Sequence, residues 1–347
     1  MKKKKLIFVG SVNLGGIADD GETMKNRILL KYLYKEFDEI FVVDTRHRLA
    51  RIYHMIKYII LLLFYRKTKI IFSASSFVTY KLIKIASCFS WNFNQITYWV
   101  IGGRFAEFIE HGEIQKNLYL KMNRILVEGD AMTDKLKLLG FDNVLTVPNF
   151  KEITYLPKLK SSDNGIIKFV FLSRIIPQKG VDLIISASKE LNKMYSTDFI
   201  VDFYGKIDPA YEDNFNNKIK DSKILNYKGF LDLTTDVGYD TLSSYDIMLF
   251  PTFWNGEGFP GIVIDAYIAG LPIIASDWNL NSEIIRDNVT GIIIPPNDVH
   301  SLISAMSMFI NRKTELYRMS KNAQKEVLKF DAKNIISKQF LKSINVL

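Results

Sequence analysis

The sequence predicts an α/β protein made of two doubly wound parallel-sheet domains, and three observations indicate this. The chain has 347 residues and 48% hydrophobic content, enough for more than one hydrophobic core. Short apolar runs alternate with helical stretches, as expected for parallel sheets covered by helices. Segment 151–165, which contains Pro157, Ser161, Ser162 and Gly165, interrupts the alternation and is predicted to be the linker between the domains.

The first series of elements forms a predicted N-terminal domain, residues 1–155. Its predicted strands are KLIFVG, EIFVVD, KIIF, ITYWVIG, RILVE and VLTVP. Helices are predicted between these runs, near 22–36, 49–64, 76–88 and 130–139.

The second series forms a predicted C-terminal domain, residues 156–330. Its predicted strands are IIKFVFLSR, FIVDFYG, ILNYKG, DIMLFP, PIIAS and GIIIPP. Helices are predicted near 179–195, 210–221, 233–243, 260–269, 298–310 and 314–329. One more helix is predicted near 332–345, and segment 331–347 is predicted to pack back on the first domain. We expect the two domains to face each other across a cleft, with ligands bound at the carboxyl ends of the strands.

The net positive charge of the protein is confined to residues 1–150. Residues 1–150 contain 23 Lys and Arg against 14 Asp and Glu, whereas residues 151–347 contain 23 of each kind. No acidic residue occurs between Asp44 and Glu107, a stretch whose basic residues are Arg46, Arg48, Arg51, Lys57, Arg66, Lys67, Lys69, Lys81, Lys84 and Arg104. Such a long one-signed stretch predicts a negatively charged partner.

An apolar helix lies inside this basic stretch. In RIYHMIKYIILLLFYRKTK it is flanked by Arg51 and by Arg66, Lys67 and Lys69, and it is too short to span a bilayer. We therefore predict docking on an anionic membrane surface; the alternative is an ordinary covering helix with solvated charges. The basic and aromatic residues match no nucleic-acid-reading motif, so no nucleic-acid partner is predicted.

The cysteine content and the start of the sequence bear on the compartment. The only cysteine, Cys88, excludes an internal disulfide and is expected to be a buried, inert thiol in a reducing environment. Lys2 to Lys5 are followed by an apolar run shorter than that of a secretory signal. We predict a cytoplasmic protein, peripheral at the inner face of the cell membrane.

Two segments of the second half are predicted to bind an anion. In SRIIPQKG, Arg174 ends a strand and Lys179 begins a helix, so two cations can converge on one phosphate; solvated loop charges are the alternative. In GFPG, residues 258–261, the glycines expose backbone N–H groups where a helix starts.

Two carboxylates flank the GFPG segment. Glu257 and Asp265 are eight residues apart, close to two helical turns, and are expected on one helix face, where Asp265 could bind a remote diol such as a ribose. The alternative is a helix-start charge and a lone polar residue. No two Asp stand at i, i+2 and no His or Cys ligand spacing occurs, so no metal is predicted.

These motifs together resemble a known family. SRIIPQKG, YGK, YKGF, DIMLFPTFWNGEGFPGIVIDAYIAGLPIIASD and GIIIPP resemble the retaining, GT-B-fold glycosyltransferases of family 4, the glycosyl transferases group 1. The resemblance is strong over residues 165–300 and weaker over 1–150. It implies a metal-independent retaining glycosyltransferase that moves a sugar from a nucleotide-diphosphate donor, without a further cofactor.

The resemblance also implies site residues. Arg174 and Lys179 would bind the donor diphosphate, and Glu257 would bind the transferred sugar. Sugar hydroxyls and phosphate would be bound by the backbone of Gly258, Phe259, Pro260 and Gly261. Asp265 stands where the family has Glu and would bind the nucleotide ribose, and Phe230 would lie against the base. Gly15 and Gly16 match the family's glycine-rich loop and would let the backbone approach the donor phosphate and the acceptor; Thr23 or Lys25 could reach the same cleft. Gly102, Gly103 and Arg104 stand on the acceptor side.

The implied acceptor is a hydroxyl of a glycan or lipid-linked molecule, in cell-surface polysaccharide synthesis. Two alternatives stay open: a nucleotide-sugar epimerase of the same fold, and a non-catalytic sugar-binding relative. The sequence does not identify the donor sugar, its base or the linkage formed.

Overall fold

The computed structural model describes residues 3–16, 20–46, 51–89, 91–160, 165–195 and 198–347, with only the backbone described for Arg51 and Lys313. Residues 17–19 of the predicted glycine-rich loop, Arg48, and residues 161–164 of the predicted linker lie outside this set. The chain divides into two compact units. The N-terminal unit comprises Met1–Glu152, Gly256–Phe259 and Phe330–Leu347, and the C-terminal unit comprises Ile153–Asn255 and Pro260–Lys329.

The N-terminal unit contains a six-stranded parallel sheet. Its strands are β1 Lys5–Gly10, β2 Glu39–Asp44, β3 Lys69–Ser73, β4 Ile96–Trp99, β5 Arg124–Val127 and β6 Val144–Thr146. They are ordered β2-β1-β3-β4-β5-β6, and Ile7 of β1 pairs with Phe41 of β2 and Ile70 of β3. The central strands are apolar at successive positions because helices bury both faces of the sheet.

Helices of the N-terminal unit follow the strands. They are α1 Gly21–Leu33, α2 Arg51–Phe64, α3 Ser76–Cys88, α4 Phe105–Glu110, α5 Lys116–Tyr119 and α6 Asp130–Leu138. One core cluster lies under α2, α3 and α6, and includes Tyr58, Leu82 and Leu136. A second cluster lies under α1 and includes Leu341 and Ile344 from the end of the chain.

The C-terminal unit contains a second six-stranded parallel sheet. Its strands are β7 Ile167–Leu172, β8 Phe199–Tyr204, β9 Leu225–Tyr227, β10 Ile247–Phe250, β11 Ile273–Ser276 and β12 Gly291–Ile294. The order is β12-β11-β10-β7-β8-β9, which is that of a Rossmann-type sheet. Its helices are α7 Val181–Tyr195, α8 Glu212–Ile219, α9 Asp236–Ser243, α10 Gly261–Ile268, α11 Asn281–Ile284, α12 Val299–Asn311 and α13 Lys313–Glu326. The prediction of two doubly wound parallel-sheet domains is confirmed.

Several local predictions are wrong. The chain end forms two short helices, α14 Ala332–Ile335 and α15 Lys338–Ser343, because Ser337 starts a new helix by accepting a hydrogen bond from Phe340 N at 3.2 Å. Cys88 is exposed rather than buried, since it lies at the last turn of α3 on the solvent side. Helices α4, α5 and α11 were not predicted, because each is too short to show a helical period.

The apolar helix of the basic stretch is α2, with 14 residues. In the part of the chain that the structure describes, no helix has the length and apolar character needed to cross a membrane.

Candidate functional site

The C-terminal unit has a topological switch point between β7 and β10. From these two neighbouring strands the chain proceeds outward in opposite directions, to β8 and β9 on one side and to β11 and β12 on the other. Ligands of open α/β sheets bind outside the carboxyl ends of the strands at such a point. The two loops that leave β7 and β10 here are bonded together, since Phe253 N donates to Gln178 O at 2.9 Å.

Arg174 and Lys179 both lie at this switch point. The exposed Arg174 guanidinium lies 5.2 Å from the ring centroid of Trp254, and Lys179 Nζ lies 5.7 Å from that of Phe250. Lys179 is only 6% exposed. Both rings belong to β10 and the loop after it, and cation–π contacts of this kind orient a cation. Both cations thus lie on the loop after β7 and face rings of β10 or the loop after it, and their joint action on one phosphate stays a prediction.

Gly180 makes this arrangement possible. Its φ is +80°, and a Cβ added there would lie 2.2 Å from Pro251 O. A side chain at position 180 would therefore push the loop after β7 away from the loop after β10.

Helix α10 begins at the same edge of the sheet, because it follows β10. Its first residue is Gly261, and Pro260, at the N-cap, supplies no side-chain hydrogen bond to the first turn. A helix N-terminus carries a partial positive charge that favours an anion. Glu257 lies outside α10, so the prediction that Glu257 and Asp265 share one helix face is wrong. The loop 255–260 is not helical, because Pro260 has no N–H to donate and its ring would clash with a preceding helical turn.

Asp265 is buried within α10. It is 3% exposed and accepts a hydrogen bond from Tyr239 Oη of α9 at 2.7 Å. Burial, and then the charge of Asp265, raise the pKa of Tyr239, which keeps the phenol protonated as a donor. Asp265 is therefore not the lone polar residue of the alternative interpretation, and its contact with a ribose stays a prediction.

Phe230 lies beyond β9 with 81% of its surface exposed. The turn before it is fixed by Gly229, which has φ of +78° and whose carbonyl accepts from Gly205 N at 2.8 Å. An exposed ring on a fixed turn can stack on a planar group, and the predicted contact with the base stays a prediction.

The N-terminal unit has its own switch point, between β1 and β3, and the loop that carries Gly15 and Gly16 lies there. Asp44 accepts from Leu14 N at 2.8 Å, and Arg27 donates to Gly16 O at 2.7 Å. Burial acts to raise the pKa of Asp44, but its backbone N–H donors outweigh this and lower the pKa below its usual value. Gly15 has φ of +82° and open space around it. This loop is thus a fixed, exposed backbone surface, as a phosphate or sugar contact would require.

Gly102 and Gly103 pack against residues 256–259 of the same unit. A Cβ on Gly103 would lie 2.5 Å from Glu257 O, and a Cβ on Gly258 would lie 3.3 Å from Gly102 Cα. Close backbone packing thus accounts for these glycines, while their acceptor-side role stays a prediction. Arg104 is exposed and its Nε donates to Glu107 at 2.9 Å.

A buried ion pair holds the same segment, and sequence reasoning missed it. Lys25 Nζ of α1 lies 2.5 Å from Glu128 Oε1, while Glu128 Oε2 accepts from Phe259 N at 3.0 Å. The side chains are 3% and 8% exposed. Lys25, one of two residues that could reach the cleft on the sequence, is paired with Glu128, and its contact with a ligand stays a prediction. Thr23, predicted likewise, is buried and bonded to Ser11 and Arg46.

Glu22 is a second residue that the sequence did not single out. It lies in the first turn of α1, beside the switch point, and accepts from the backbone of Ser75 just beyond β3. Burial raises its pKa to about 7, although Lys25 and the Ser75 bond act in the opposite direction. No sequence pattern signals this, since the shift arises from the tertiary surroundings.

A surface pocket of the C-terminal unit lies elsewhere. Its volume is about 480 Å³, and its lining includes Lys168, Asp246 and Leu271, which stand at or before the starts of β7, β10 and β11. This is the amino end of the sheet, whereas ligands of parallel sheets bind at the carboxyl end. We therefore place the candidate site at the β7–β10 switch point. Among the described residues, no group of three or more His, Cys, Asp or Glu side chains could hold a metal ion.

Residues 157–326 match the family model of the glycosyl transferases group 1. We call this matched segment the group 1 domain. It carries Arg174, Lys179, Phe230, Glu257 and Asp265. The group 1 domain covers nearly the whole C-terminal unit, including its switch point.

Two curated relatives of the group 1 domain carry named activities. The chain is 25% identical over 206 residues to the UDP-Gal:alpha-D-GlcNAc-diphosphoundecaprenol alpha-1,3-galactosyltransferase of Escherichia coli, covering 57% of this chain and 51% of that protein. It is 27% identical over 185 residues to the 2-deoxystreptamine N-acetyl-D-glucosaminyltransferase of Niallia circulans, covering 52% of this chain and 44% of that protein. The chain thus matches about half the length of each.

Solved structures share the fold over most or all of this chain. Anabaena HepE in complex with UDP has a TM-score of 0.76 at 15% identity, covering 99% of this chain and all of that one. A Staphylococcus aureus TarM variant in complex with Fondaparinux, alpha-GlcNAc-glycerol and UDP has a TM-score of 0.63 at 18% identity, covering 84% of this chain and 59% of that one. The protein has the two-domain GT-B fold.

Proposed function

We propose that the protein is a retaining glycosyltransferase that moves a sugar from a nucleotide-diphosphate donor to an acceptor hydroxyl. The observation that carries this proposal is the Arg174 and Lys179 pair at the β7–β10 switch point of the group 1 domain. A diphosphate that departs with two negative charges needs such fixed cations.

The proposed reaction breaks the bond between the anomeric carbon and the diphosphate oxygen, and the bonding electrons leave with the diphosphate. The acceptor oxygen forms a new bond to the anomeric carbon on the same face, and its proton passes to the departing phosphate. Arg174, Lys179 and the N-terminus of α10 at Gly261 would stabilise the negative charge that develops. This chemistry requires no dedicated base and no metal ion.

We assign the remaining contacts on the resemblance and on where the residues lie. Glu257 would bind hydroxyls of the transferred sugar, and Asp265 would bind the ribose while Tyr239 holds its carboxylate in place. Phe230 would stack on the base, which fits its exposed ring. The fixed backbone at Gly15 would contact the donor or acceptor.

We propose a glycan or lipid-linked acceptor and a role in cell-surface polysaccharide synthesis at the cytoplasmic face of the membrane. The support is the name of the Escherichia coli relative, whose acceptor is a diphosphoundecaprenol-linked sugar. The one-signed basic stretch of the N-terminal unit fits an acceptor presented near anionic groups.

A donor screen with purified protein tests the proposal. UDP- and GDP-sugars are supplied with an acceptor extract, and nucleotide release is measured with and without EDTA. We expect release from at least one donor in both conditions, and a product whose anomeric configuration, read by NMR, matches that of the donor. Loss of turnover in EDTA would contradict metal independence, and an inverted product would contradict retention.

Site variants test the assignment. Lys179→Met, Arg174→Met and Glu257→Gln should each lower kcat/KM by ~100-fold or more, because one charge-assisted contact at a transition state is worth about 3 kcal/mol. Lys193→Met and Glu113→Gln remove exposed charges elsewhere and should stay within about twofold of wild type. Near wild-type rates in all three site variants would show that the site is misplaced.

The two alternatives predict other outcomes in the same screen. A nucleotide-sugar epimerase would convert the sugar while it stays attached to the nucleotide, without an acceptor. A non-catalytic relative would bind the nucleotide, as measured by calorimetry, without turnover of any donor.

A further inference from the structure

Helix α2 exposes an apolar stripe to solvent. Six of its residues carry exposed apolar or aromatic side chains, and Ile52 and Phe64, near its two ends, are 76% and 77% exposed. The complete stripe is Ile52, Tyr53, Ile56, Ile60, Leu63 and Phe64. The steps of four, four and three residues from Ile52 to Leu63 place these side chains on one helix face. A contiguous exposed apolar face of this size indicates an interaction surface.

The opposite face of α2 is an ordinary core face. Tyr58, Leu61 and Leu62 are buried in the core under α2 and α3, and Tyr58 Oη donates to Leu82 O of α3 at 3.0 Å. The helix is therefore fixed to the sheet by one side and offers the other to a partner. The alternative of an ordinary covering helix accounts only for the buried side.

Basic residues border the stripe. Lys57 stands between Tyr53 and Ile60 on the helix, and burial among its neighbours lowers its pKa. Arg66 and Lys67, just after the helix, are exposed, and neither is paired with a carboxylate within the described part of the chain. Lys69, predicted to belong to this cluster, instead donates to Asn345 O at 2.7 Å and is occupied by the chain end.

We propose that this stripe and its basic border form a docking surface for a bilayer that contains anionic lipids, with α2 lying in the plane of the interface. Charge complementarity selects this occupant, because no Asp or Glu occurs between Asp44 and Glu107 to pair with cations of a protein partner. At 1.5 Å per residue the helix is about 21 Å long, less than the ~30 Å hydrocarbon core, so it lies on the bilayer and does not cross it. Tyr53 and Phe64 suit the headgroup boundary, with Arg66 and Lys67 reaching lipid phosphates.

Vesicle co-sedimentation tests this surface without reference to catalysis, so its failure would leave the proposed glycosyltransferase activity intact. The full-length protein is mixed with vesicles of phosphatidylcholine alone, or with 30% phosphatidylglycerol, at low and high salt. We expect binding only to the anionic vesicles, and weaker binding at high salt because surface charges are then screened.

Two variants and their matched controls locate the surface. Arg66→Glu with Lys67→Glu should lower the partition coefficient by ~10-fold or more, since each basic residue near such a surface contributes roughly fivefold. Ile56→Ser with Phe64→Ser should lower it by a similar factor. Lys121→Glu with Lys137→Glu makes the same change of net charge on exposed residues elsewhere in the unit, and Leu138→Ser removes an exposed apolar side chain from α6. Both controls should bind as wild type does.

Several outcomes would overturn the proposal. Binding that does not depend on lipid charge would do so, and so would the absence of binding under all conditions. Binding that is unchanged in both the Arg66→Glu, Lys67→Glu variant and the Ile56→Ser, Phe64→Ser variant would also do so. Self-association that the Ile56→Ser, Phe64→Ser variant abolishes, seen by sedimentation velocity, would identify a second copy of the chain as the occupant instead. Circular dichroism and thermal melting establish that each variant is folded before it is compared.

Discussion

The buried pair of Lys25 and Glu128 is expected to be among the most sensitive positions of the N-terminal unit. Lys25→Met removes the cation and keeps a chain of similar length, so the Glu128 carboxylate stays buried with Phe259 N as its donor. Glu128→Leu removes both the ion pair and the acceptor for that N–H group. The double variant removes both charges at once.

The structure sets the size of each effect. At 2.5 Å and with side chains 3% and 8% exposed, the pair is well desolvated, and breaking one partner of such a pair costs about 3–5 kcal/mol. Glu128→Leu should cost ~1–3 kcal/mol more than Lys25→Met, because Phe259 N is left without its acceptor. The double variant should recover the cost of the unpaired buried charge, since replacing both charges by apolar groups is close to neutral, and should keep only the ~1–3 kcal/mol cost at Phe259 N.

Urea unfolding measures these free energies. Trp99 lies in the N-terminal unit, with its ring centroid 5.6 Å from Lys25 Nζ, so its fluorescence reports on this site. Replacing Trp254 and Trp278 by Phe in all variants removes the emission of the C-terminal unit from the signal.

An exposed ion pair provides the control. Lys135→Met breaks the pair with Glu110, whose side chains are 39% and 47% exposed, and should cost under about 1 kcal/mol. The reasoning would be refuted if Lys25→Met cost no more than Lys135→Met, or if the double variant were as unstable as the sum of the single ones.

Three further predictions concern pH, backbone and donor binding. Because the pKa of Glu22 is raised to about 7 from 4.5, the folded protein keeps a proton that the unfolded chain releases, and the free energy of unfolding should fall by up to about 3 kcal/mol as pH rises from 4.5 to 7. Glu22→Gln should lack this fall, and parallel pH profiles of the two proteins in urea titrations would contradict the prediction. Gly180→Ala should cost ~2 kcal/mol more than Gly229→Ala, since both have positive φ but only Gly180 would bring a Cβ against a backbone oxygen, at 2.2 Å; equal denaturation midpoints would argue against this packing. Tyr239→Phe should raise the donor KM several-fold with little change in kcat if Asp265 binds the ribose, whereas a fall in kcat at constant KM would count against that role.

The sequence by itself determined the fold class and the main cation pair. Alternation of apolar runs with helical stretches is a local property, because each strand and helix must bury its own apolar positions, and both six-stranded parallel sheets follow from it. Arg174 and Lys179 could be found because both lie in the short connection 173–180 between β7 and α7, so their proximity is also local.

Only the tertiary structure decided the rest. Strand order places the switch points at β1–β3 and β7–β10, and no residue pattern within a strand encodes which neighbour it pairs with. Lys25 is paired with Glu128, 103 positions later in the chain, and Lys69 donates a hydrogen bond to Asn345. Two cations that the sequence predicted to contact a ligand or a membrane therefore make internal bonds. The pKa of Glu22 likewise depends on burial by distant segments. Hydrophobic periodicity is a local property of the sequence and can be read from it directly. The pKa and the interaction partners of a charged group depend on the surroundings that folding creates.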